Sequence, residues 1–432
     1  MGVVAGFYSI WGRAAEGHSG KRMIEKRNPL QERLRTTGPG KLALIYPAAF
    51  FVSVAVGFVI FGLTFFARDV LRFEPGQIGM LVGTWPLTYC ISCLLIRPIF
   101  GQVPPRFLMI GSCATMCLAV AALLSFPVPR AVFPLFGLFG FALGLFWTPV
   151  MGWLSVGQEG KTLSRLISHF NFSWGTGNMI SPFLCGCLYR IRPGLPLLSG
   201  AALLFAVAVY VTWGSVALPR IRSDRSSGVA DENPVDTDQS TTLRYPAWGG
   251  LWANYFGIGL LNAVFPLAGR IELGMDSAQV GFAFLLLNLL NVVVFLAMGR
   301  WEAWHFQSWP MKVSTGLRIL LFILLMAVGG RIPSFAIMAL IGIPYAIAYS
   351  SSVFHGCSGT IHRARRMAIH EGVLTAAMVM GSISGGYVYQ HLSAGAAYLM
   401  CAGINAATLG LQVWMGPRKD RPVFCRAISA PI

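Results

Sequence analysis

Apolar blocks, each about as long as the roughly 20 residues that a helix needs to cross a bilayer, recur along the whole chain. Of its 432 residues, 55% are hydrophobic and only 11% are charged, whereas soluble domains carry about 25% charged residues. The sequence therefore predicts an all-α membrane protein with about 12 transmembrane helices. The predicted spans are residues 45–68, 77–98, 107–126, 131–155, 166–189, 195–217, 246–268, 278–299, 313–329, 333–355, 368–390 and 394–415.

The net charge of +17 is unevenly distributed. Most of the 33 Lys and Arg residues fall in segments that share one side of the membrane when the spans are counted. This asymmetry follows the positive-inside rule and predicts that both termini are cytoplasmic. The basic excess is interpreted as a topology signal with attraction to lipid headgroups, and a nucleic-acid partner is not expected.

A polar segment divides the chain into two halves. Residues 218–245 are rich in Asp, Ser, Thr and Arg, a composition typical of a flexible linker. The predicted parts are a basic cytoplasmic leader (1–44), an N-terminal six-helix bundle (45–217), the cytoplasmic linker (218–245), a C-terminal six-helix bundle (246–416) and a cytoplasmic tail (417–432). Met23 is an alternative start, so residues 1–22 need not belong to the native protein.

The two halves contain a repeat. Residues 169–189 align with residues 369–389 at a constant offset of 200, which pairs Asn171 with Glu371 and Gly186 with Gly386. Each segment forms the fifth span of its half. The repeat therefore predicts two pseudo-symmetric bundles, although chance similarity between two apolar helices is an alternative.

The six-plus-six plan, the central loop and the fifth span resemble the major facilitator superfamily. Gly177, Pro182 and Gly186 match part of that family's span-five motif, and residues 97–106 resemble its loop motif without the acidic residue. The stretch from Phe146 to Gly177 is similar to bacterial permeases of the superfamily. The resemblance implies a monomeric inner-membrane carrier without a cofactor, whose conformational residues are Gly177, Pro182, Gly186, Gly385, Gly386, Arg97, Gly101 and Arg106.

Polar and aromatic side chains form stripes at helical spacing on several spans. Such stripes predict either a wet substrate cavity or hydrogen bonds between helices. The candidate substrate-binding residues are Tyr46, Ser53, Trp147, Asn171, Trp174, Asn178, Asn254, Asn288, Asn291, Tyr345 and Tyr349.

Glu371 is the acidic residue that the sequence places inside a span. A carboxyl group in a water-poor site can bind and release a proton at physiological pH, and neighbouring His370 titrates in the same range. Both are therefore candidates for proton coupling. The alternative is structural, because Glu371 is predicted in the first turn of span eleven, where Arg363, Arg365 and Arg366 are near. Arg318, in span nine, is predicted to extend to the lipid headgroups.

The favoured function is secondary transport of a small organic solute by alternating access. A carrier-like scaffold or sensor that no longer transports is the main alternative. A membrane-embedded enzyme is a remote one, because the sequence contains no HExxH or GxSxG motif. The cysteines are interpreted as packing residues, and no metal site is expected.

Overall fold

The computed structural model describes residues 39–95, 103–155, 160–217, 241–301, 303–358 and 363–415. Within these ranges the chain forms twelve α-helices. They are α1 Pro39–Asp69, α2 Pro75–Leu95, α3 Pro105–Ser125, α4 Pro129–Ser155, α5 Gly160–Ile191, α6 Leu195–Ala217, α7 Arg244–Ile271, α8 Ser277–Arg300, α9 Trp309–Ala327, α10 Arg331–Cys357, α11 Arg363–His391 and α12 Ala394–Trp414. The predicted all-α fold class is confirmed, and each predicted span overlaps one helix.

Eleven of the helices in the described ranges are long and apolar enough to cross a membrane. Helix α5 is the exception, because polar residues such as His169, Asn171 and Ser173 occupy its first half. The segments 1–38, 218–240 and 416–432, which hold most of the predicted leader, linker and tail, lie outside the described residues.

Local signals define where several helices begin. Prolines open α2, α3 and α4, where the missing N–H would have no partner in the helix. Asp276 caps α8 by accepting a hydrogen bond from the backbone N–H of Gln279, whose side chain accepts one from the backbone N–H of Asp276. This reciprocal capping box fixes the start of α8 beside the end of α5.

Each half has its own apolar core. One core is built mainly from α1 to α6 and the other mainly from α7 to α12. In the described part of the chain, α3, α6, α9 and α12 make their main helix contacts within their own half, whereas α5 packs extensively against α8 and α2 against α11. The two halves therefore meet along two equivalent helix pairs, the arrangement that the repeat predicts.

Glycines allow these two helix pairs to approach closely. A Cβ atom on Gly186 would lie 2.2 Å from the carbonyl oxygen of Ser277, and one on Gly386 would lie 2.6 Å from the carbonyl oxygen of Pro75. Ser277 opens α8 and Pro75 opens α2, so residues paired by the offset of 200 make equivalent contacts. Small residues are needed here because the helix backbones touch.

We name the two ends of the bundle for their connections. The loop end carries the short α1–α2, α5–α6, α7–α8 and α11–α12 connections, and the linker end carries the segment 218–240 between α6 and α7. At the loop end, Asp69 Oδ2 accepts hydrogen bonds from Arg270 Nη1 at 2.7 Å and from Tyr189 Oη at 2.8 Å. These bonds tie the end of α1 to the ends of α7 and α5 and so join the two halves.

Two further polar contacts join the halves at the loop end. The side-chain oxygen of Gln390 accepts from the backbone N–H of Gly76 at 2.9 Å, and its amide nitrogen donates to the Glu74 carboxylate. Ser277 Oγ donates to the Gly186 carbonyl at 2.9 Å. A solvent-open cavity of about 460 Å³ lies over Asp69, Tyr189 and Arg270. The loop end is thus held closed beneath a shallow depression.

Candidate functional site

Glu371 lies deep in the helix bundle, in the third turn of α11, which begins at Arg363. The predicted first-turn position is therefore wrong, and the helix dipole acts mainly on the first turn. The residue nevertheless keeps part of its surface exposed. Among the described side chains, none forms a hydrogen bond or an ion pair with it. The side chains of Arg363 and Arg365, two of its predicted partners, lie outside the described residues.

Five side chains from both halves lie within Coulombic range of the Glu371 carboxyl group, and we call these six residues together the Glu371 cluster. They are Tyr89 and Cys93 on α2, Tyr255 on α7, and Tyr345 and Tyr349 on α10. The cluster lies on the linker side of the contacts that close the loop end. A solute bound here would touch both bundles at once.

The tyrosines of the C-terminal half pack against one another. The rings of Tyr255 and Tyr345 are 5.4 Å apart and their hydroxyl oxygens are 2.8 Å apart in a hydrogen bond. The Tyr349 ring lies 6.5 Å from that of Tyr255 and 5.6 Å from that of Phe295. These contacts hold the rings in place, so the cluster is a preformed aromatic wall.

His370 is buried beside the cluster. Its Nδ1 atom lies 2.8 Å from Ser352 Oγ, and its ring lies 5.1 Å from that of Tyr349, edge to face. Its side chain is 1% exposed, and Nε2 has no hydrogen-bond partner among the described residues. The geometry places His370 behind Tyr349, where it orients that ring.

A second aromatic group lies between α4 and α5 in the N-terminal half. The Trp147 ring lies 6.5 Å from that of Trp174 and 5.8 Å from that of Phe170, and Trp174 Nε1 donates to Asn171 Oδ1 at 3.0 Å. Next to Trp147, Thr148 Oγ1 lies 3.4 Å from the Cys93 thiol. This contact connects the group to the Glu371 cluster.

Other predicted binding residues lie in contacts between helices. Tyr46 Oη donates to the Leu166 carbonyl at 3.3 Å, and the Tyr46 carbonyl accepts from Ser173 Oγ at 2.6 Å, which ties α1 to α5. Ser53 is 1% exposed, and its Cβ would lie 2.8 Å from a Cβ added to Gly177. The Asn178 side chain is partly buried on the same helix.

The remaining predicted binding residues are three asparagines on α7 and α8. Asn288 Nδ2 donates to the Phe284 carbonyl of its own helix at 2.9 Å. Asn254 Nδ2 and Asn291 Oδ1 are buried, and neither has a hydrogen-bond partner among the described residues. Their roles in solute binding stay predictions.

The predicted conformational glycines lie at close helix contacts. Gly177 faces α1, Gly186 faces α8, Gly385 faces α7 and Gly386 faces α2. The Pro182 carbonyl would lie 2.1 Å from a Cβ on Gly281, so it belongs to the same α5–α8 contact. Of the predicted loop motif, Arg106 lies in the first turn of α3 with its guanidinium 5.1 Å from the Phe107 ring, whereas Arg97 and Gly101 lie outside the described residues.

Arg318 does not extend to the headgroups, and that prediction is wrong. Its side chain is 1% exposed and points into the C-terminal bundle. Its guanidinium donates to neutral acceptors on four helices, namely Asn405 Oδ1, Ser314 Oγ, Thr315 Oγ1 and the carbonyls of Pro344 and Gly250. The Arg318 side chain points inward because each of its guanidinium N–H donors finds an acceptor inside the bundle.

Sequence reasoning missed Tyr89, Cys93 and Tyr255. Tyr89 is the single tyrosine of α2, a signal that could have been used, since aromatic hydroxyls are uncommon in apolar spans. Tyr255 follows Asn254 in the sequence, and Asn254 was predicted as a binding residue because of its amide side chain. Among the described residues, no group of three or more His, Cys, Asp or Glu side chains is placed to hold a metal ion.

The fold and site define a multi-pass helical membrane protein with a polar cluster between two bundles. The family profile described as Major Facilitator Superfamily matches residues 45–360. The chain therefore belongs to the Major Facilitator Superfamily, a family of secondary transporters. No curated protein sequence matches it.

Solved structures show the same fold at low sequence identity. The nucleoside transporter NupG superposes with a TM-score of 0.69 at 13% identity, covering 88% of this chain and 100% of that one. A point mutant of NupG gives 0.68 at 12% identity, covering 87% and 100%. A POT family transporter in complex with a thioalcohol-conjugated peptide gives 0.71 at 10% identity, covering 87% and 96%.

Proposed function

We propose that this protein carries a small organic solute across the membrane by alternating access of its two six-helix halves, with Glu371 carrying a coupling proton. The observation that carries the proposal is the Glu371 cluster, because both halves contribute to it and its carboxyl group has no partner among the described side chains. A carboxyl group in that setting can exchange a proton or a ligand without first breaking an internal bond.

The direction in which the bundle is closed supports the same proposal. Asp69, Arg270 and Gln390 join the halves at the loop end, whereas the Glu371 cluster lies toward the linker end. Rocking of the halves about the cluster would break these contacts and expose the site to the other side. By the charge asymmetry we assign the linker end and both termini to the cytoplasmic side. The resemblance to bacterial permeases favours the bacterial inner membrane as the location.

Family membership favours a carrier over an enzyme, as does a buried carboxyl group with no partner among the described side chains. We propose a monomer in contact with lipid, with a small-molecule substrate and no cofactor. The fold shared with a nucleoside transporter and a peptide-bound POT transporter makes nucleosides and dipeptides reasonable members of a test panel.

Thermal unfolding of the detergent-purified protein tests the proposal. The panel contains nucleosides, dipeptides, sugars, aromatic amines and aromatic acids, each measured at acidic and at neutral pH. A ligand at a hundredfold excess over its dissociation constant stabilises the folded state by about 2.7 kcal/mol, which is readily measured. We expect a hit whose shift depends on pH in the native protein and not in Glu371→Gln.

Glu272→Gln is the matched control, because Glu272 is an exposed carboxylate at the end of α7. This variant should keep the pH dependence of the native protein. If no panel member shifts the unfolding of any variant, the scaffold or sensor alternative replaces the transporter proposal.

A further inference from the structure

We infer that the solute is an aromatic organic cation, held between the Glu371 carboxylate and the tyrosine faces of the Glu371 cluster. The inference rests on the proposed function and adds the chemical class of its substrate. Glu371 is a partly buried acid whose carboxyl group has no hydrogen-bond or ion-pair partner among the described side chains. A carboxylate accepts hydrogen bonds and attracts positive charge, and leaving it uncompensated inside a helix bundle costs free energy.

The described residues near Glu371 supply no positive charge to compensate it. On its own helix, the Arg366 guanidinium lies over the Trp248 ring at 5.9 Å, and His370 Nδ1 faces Ser352. The Arg318 guanidinium is enclosed by the neutral acceptors of the C-terminal bundle. The described titratable groups within Coulombic range of the carboxyl group are four hydroxyls and a thiol, from Tyr89, Tyr255, Tyr345, Tyr349 and Cys93.

The faces of the tyrosine rings attract a cation and do not attract an anion. The face of an aromatic ring carries negative electrostatic potential, so it attracts a desolvated cation. The hydroxyl groups of Tyr255 and Tyr345 form a hydrogen bond with each other, so these two residues present their ring faces to a ligand. Tyr349 is partly exposed, its ring lies 5.1 Å from that of His370 beside Glu371, and its hydroxyl is not part of the Tyr255–Tyr345 hydrogen bond, so we choose it to test the ring contact.

The second aromatic group suggests a flat apolar body for the solute. Trp147 and Trp174 lie beside the Glu371 cluster, on the side where Thr148 contacts Cys93. A planar aromatic solute could place its charge at Glu371 and its rings toward these tryptophans. A neutral sugar would satisfy the carboxylate by hydrogen bonds but would gain no cation–π attraction from the tyrosine faces.

A proton and the cation should compete for the same carboxylate. The cation binds the ionised form of Glu371, so its affinity should fall as the pH is lowered and the carboxyl becomes protonated. A neutral solute carried together with the proton would show the opposite dependence.

The test compares three flat two-ring probes of similar size: N-methylquinolinium as the cation, quinoline as the uncharged analogue at neutral pH, and naphthoate as the anion. Binding to the full-length purified protein is measured by titration calorimetry at neutral and acidic pH. We expect N-methylquinolinium to bind at least tenfold more tightly than quinoline at neutral pH and to weaken at acidic pH. Naphthoate should not bind.

Three variants make the test more specific. Glu371→Gln should lose at least tenfold in affinity for N-methylquinolinium and lose its pH dependence. Tyr349→Phe keeps the aromatic ring and should retain the affinity for N-methylquinolinium. Tyr349→Leu removes the ring and should weaken binding about fivefold. The Phe and Leu variants are a matched pair whose folding is checked by gel filtration, so that the inference stays testable if Glu371→Gln is unstable.

The failure of this inference differs from that of the proposed function. If quinoline, naphthoate or a neutral panel member binds as well as N-methylquinolinium, or if Tyr349→Leu binds the cation normally, the cation assignment is overturned while the transporter proposal stands. If nothing binds from either set of compounds, both are overturned.

Discussion

The Asp69 carboxylate accepts a hydrogen bond from Arg270 over 2.7 Å and thereby joins the last turn of α1 to the last turn of α7. The same carboxylate oxygen accepts from Tyr189, and the Arg270 guanidinium lies 5.6 Å from the centre of the Phe65 ring. In a carrier that works by rocking its halves, these contacts must break each time the loop end opens.

Removing this ion pair should favour opening of the loop end. Both side chains are about one-third exposed, so the pair contributes about 1 kcal/mol, a factor of about five in the ratio of closed to open molecules. Asp69→Asn and Arg270→Gln should each speed amide hydrogen exchange at the ends of α1 and α7. The exchanged pair, Asp69→Arg with Arg270→Asp, should restore slow exchange; equal exchange in all four proteins would exclude a closing role.

Arg318 should contribute to stability rather than to transport. Its five donors contact neutral groups inside the C-terminal bundle, and hydrogen bonds to a charged group contribute about 1.5–3 kcal/mol each when a buried partner would be left unmatched. Arg318→Met should therefore lower the unfolding midpoint clearly. Arg190→Gln is the control, since Arg190 is 61% exposed and 3.7 Å from Asp276. An unchanged midpoint in Arg318→Met would contradict the assignment.

Gly281 should be intolerant of a side chain. A Cβ there would lie 2.1 Å from the Pro182 carbonyl oxygen on α5. We expect Gly281→Ala to destabilise the protein by about 1–3 kcal/mol because the α5–α8 contact must open. Gly403→Ala is the matched control, because a Cβ on Gly403 meets no atom within 4 Å and alanine favours a helix by about 1 kcal/mol. Similar melting of the two variants would mean that the close contact does not matter.

His370 should orient the site without carrying the proton. It is buried and faces Ser352 and Tyr349, while the partly exposed carboxyl belongs to Glu371. His370→Asn should weaken solute binding but keep its pH dependence, measured by thermal unfolding with the best panel compound. A His370→Asn variant without pH dependence, beside a Glu371→Gln variant that retains it, would assign the proton to His370 instead.

Hydrophobic blocks and the repeat were sufficient to predict the helices and the two-bundle plan. The span ends were approximate because helices extend past the hydrocarbon; α5, predicted over 166–189, runs from Gly160 to Ile191. This matters for Glu371, whose predicted place in a first turn was wrong because α11 begins eight residues earlier, at Arg363.

The site was only partly predictable, because which face of a helix meets a neighbour depends on tertiary packing. Tyr345, Tyr349 and Glu371 lie together as their polarity suggested, whereas Ser53 packs against Gly177 between α1 and α5. Arg318 was misjudged since its acceptors come from Gly250, Pro344 and Asn405, which are distant in sequence. Its inward orientation follows from contacts that a single span cannot reveal.

The most direct test of the central claim is solute uptake into vesicles that contain the purified protein. The panel compound with the largest thermal shift is radiolabelled, and its accumulation is measured with and without an imposed pH gradient. The account predicts that the native protein accumulates the compound when the gradient is present, that Glu272→Gln does the same, and that Glu371→Gln only equilibrates it. Accumulation by Glu371→Gln equal to that of the native protein, or no uptake above protein-free vesicles with either gradient direction, would contradict the account.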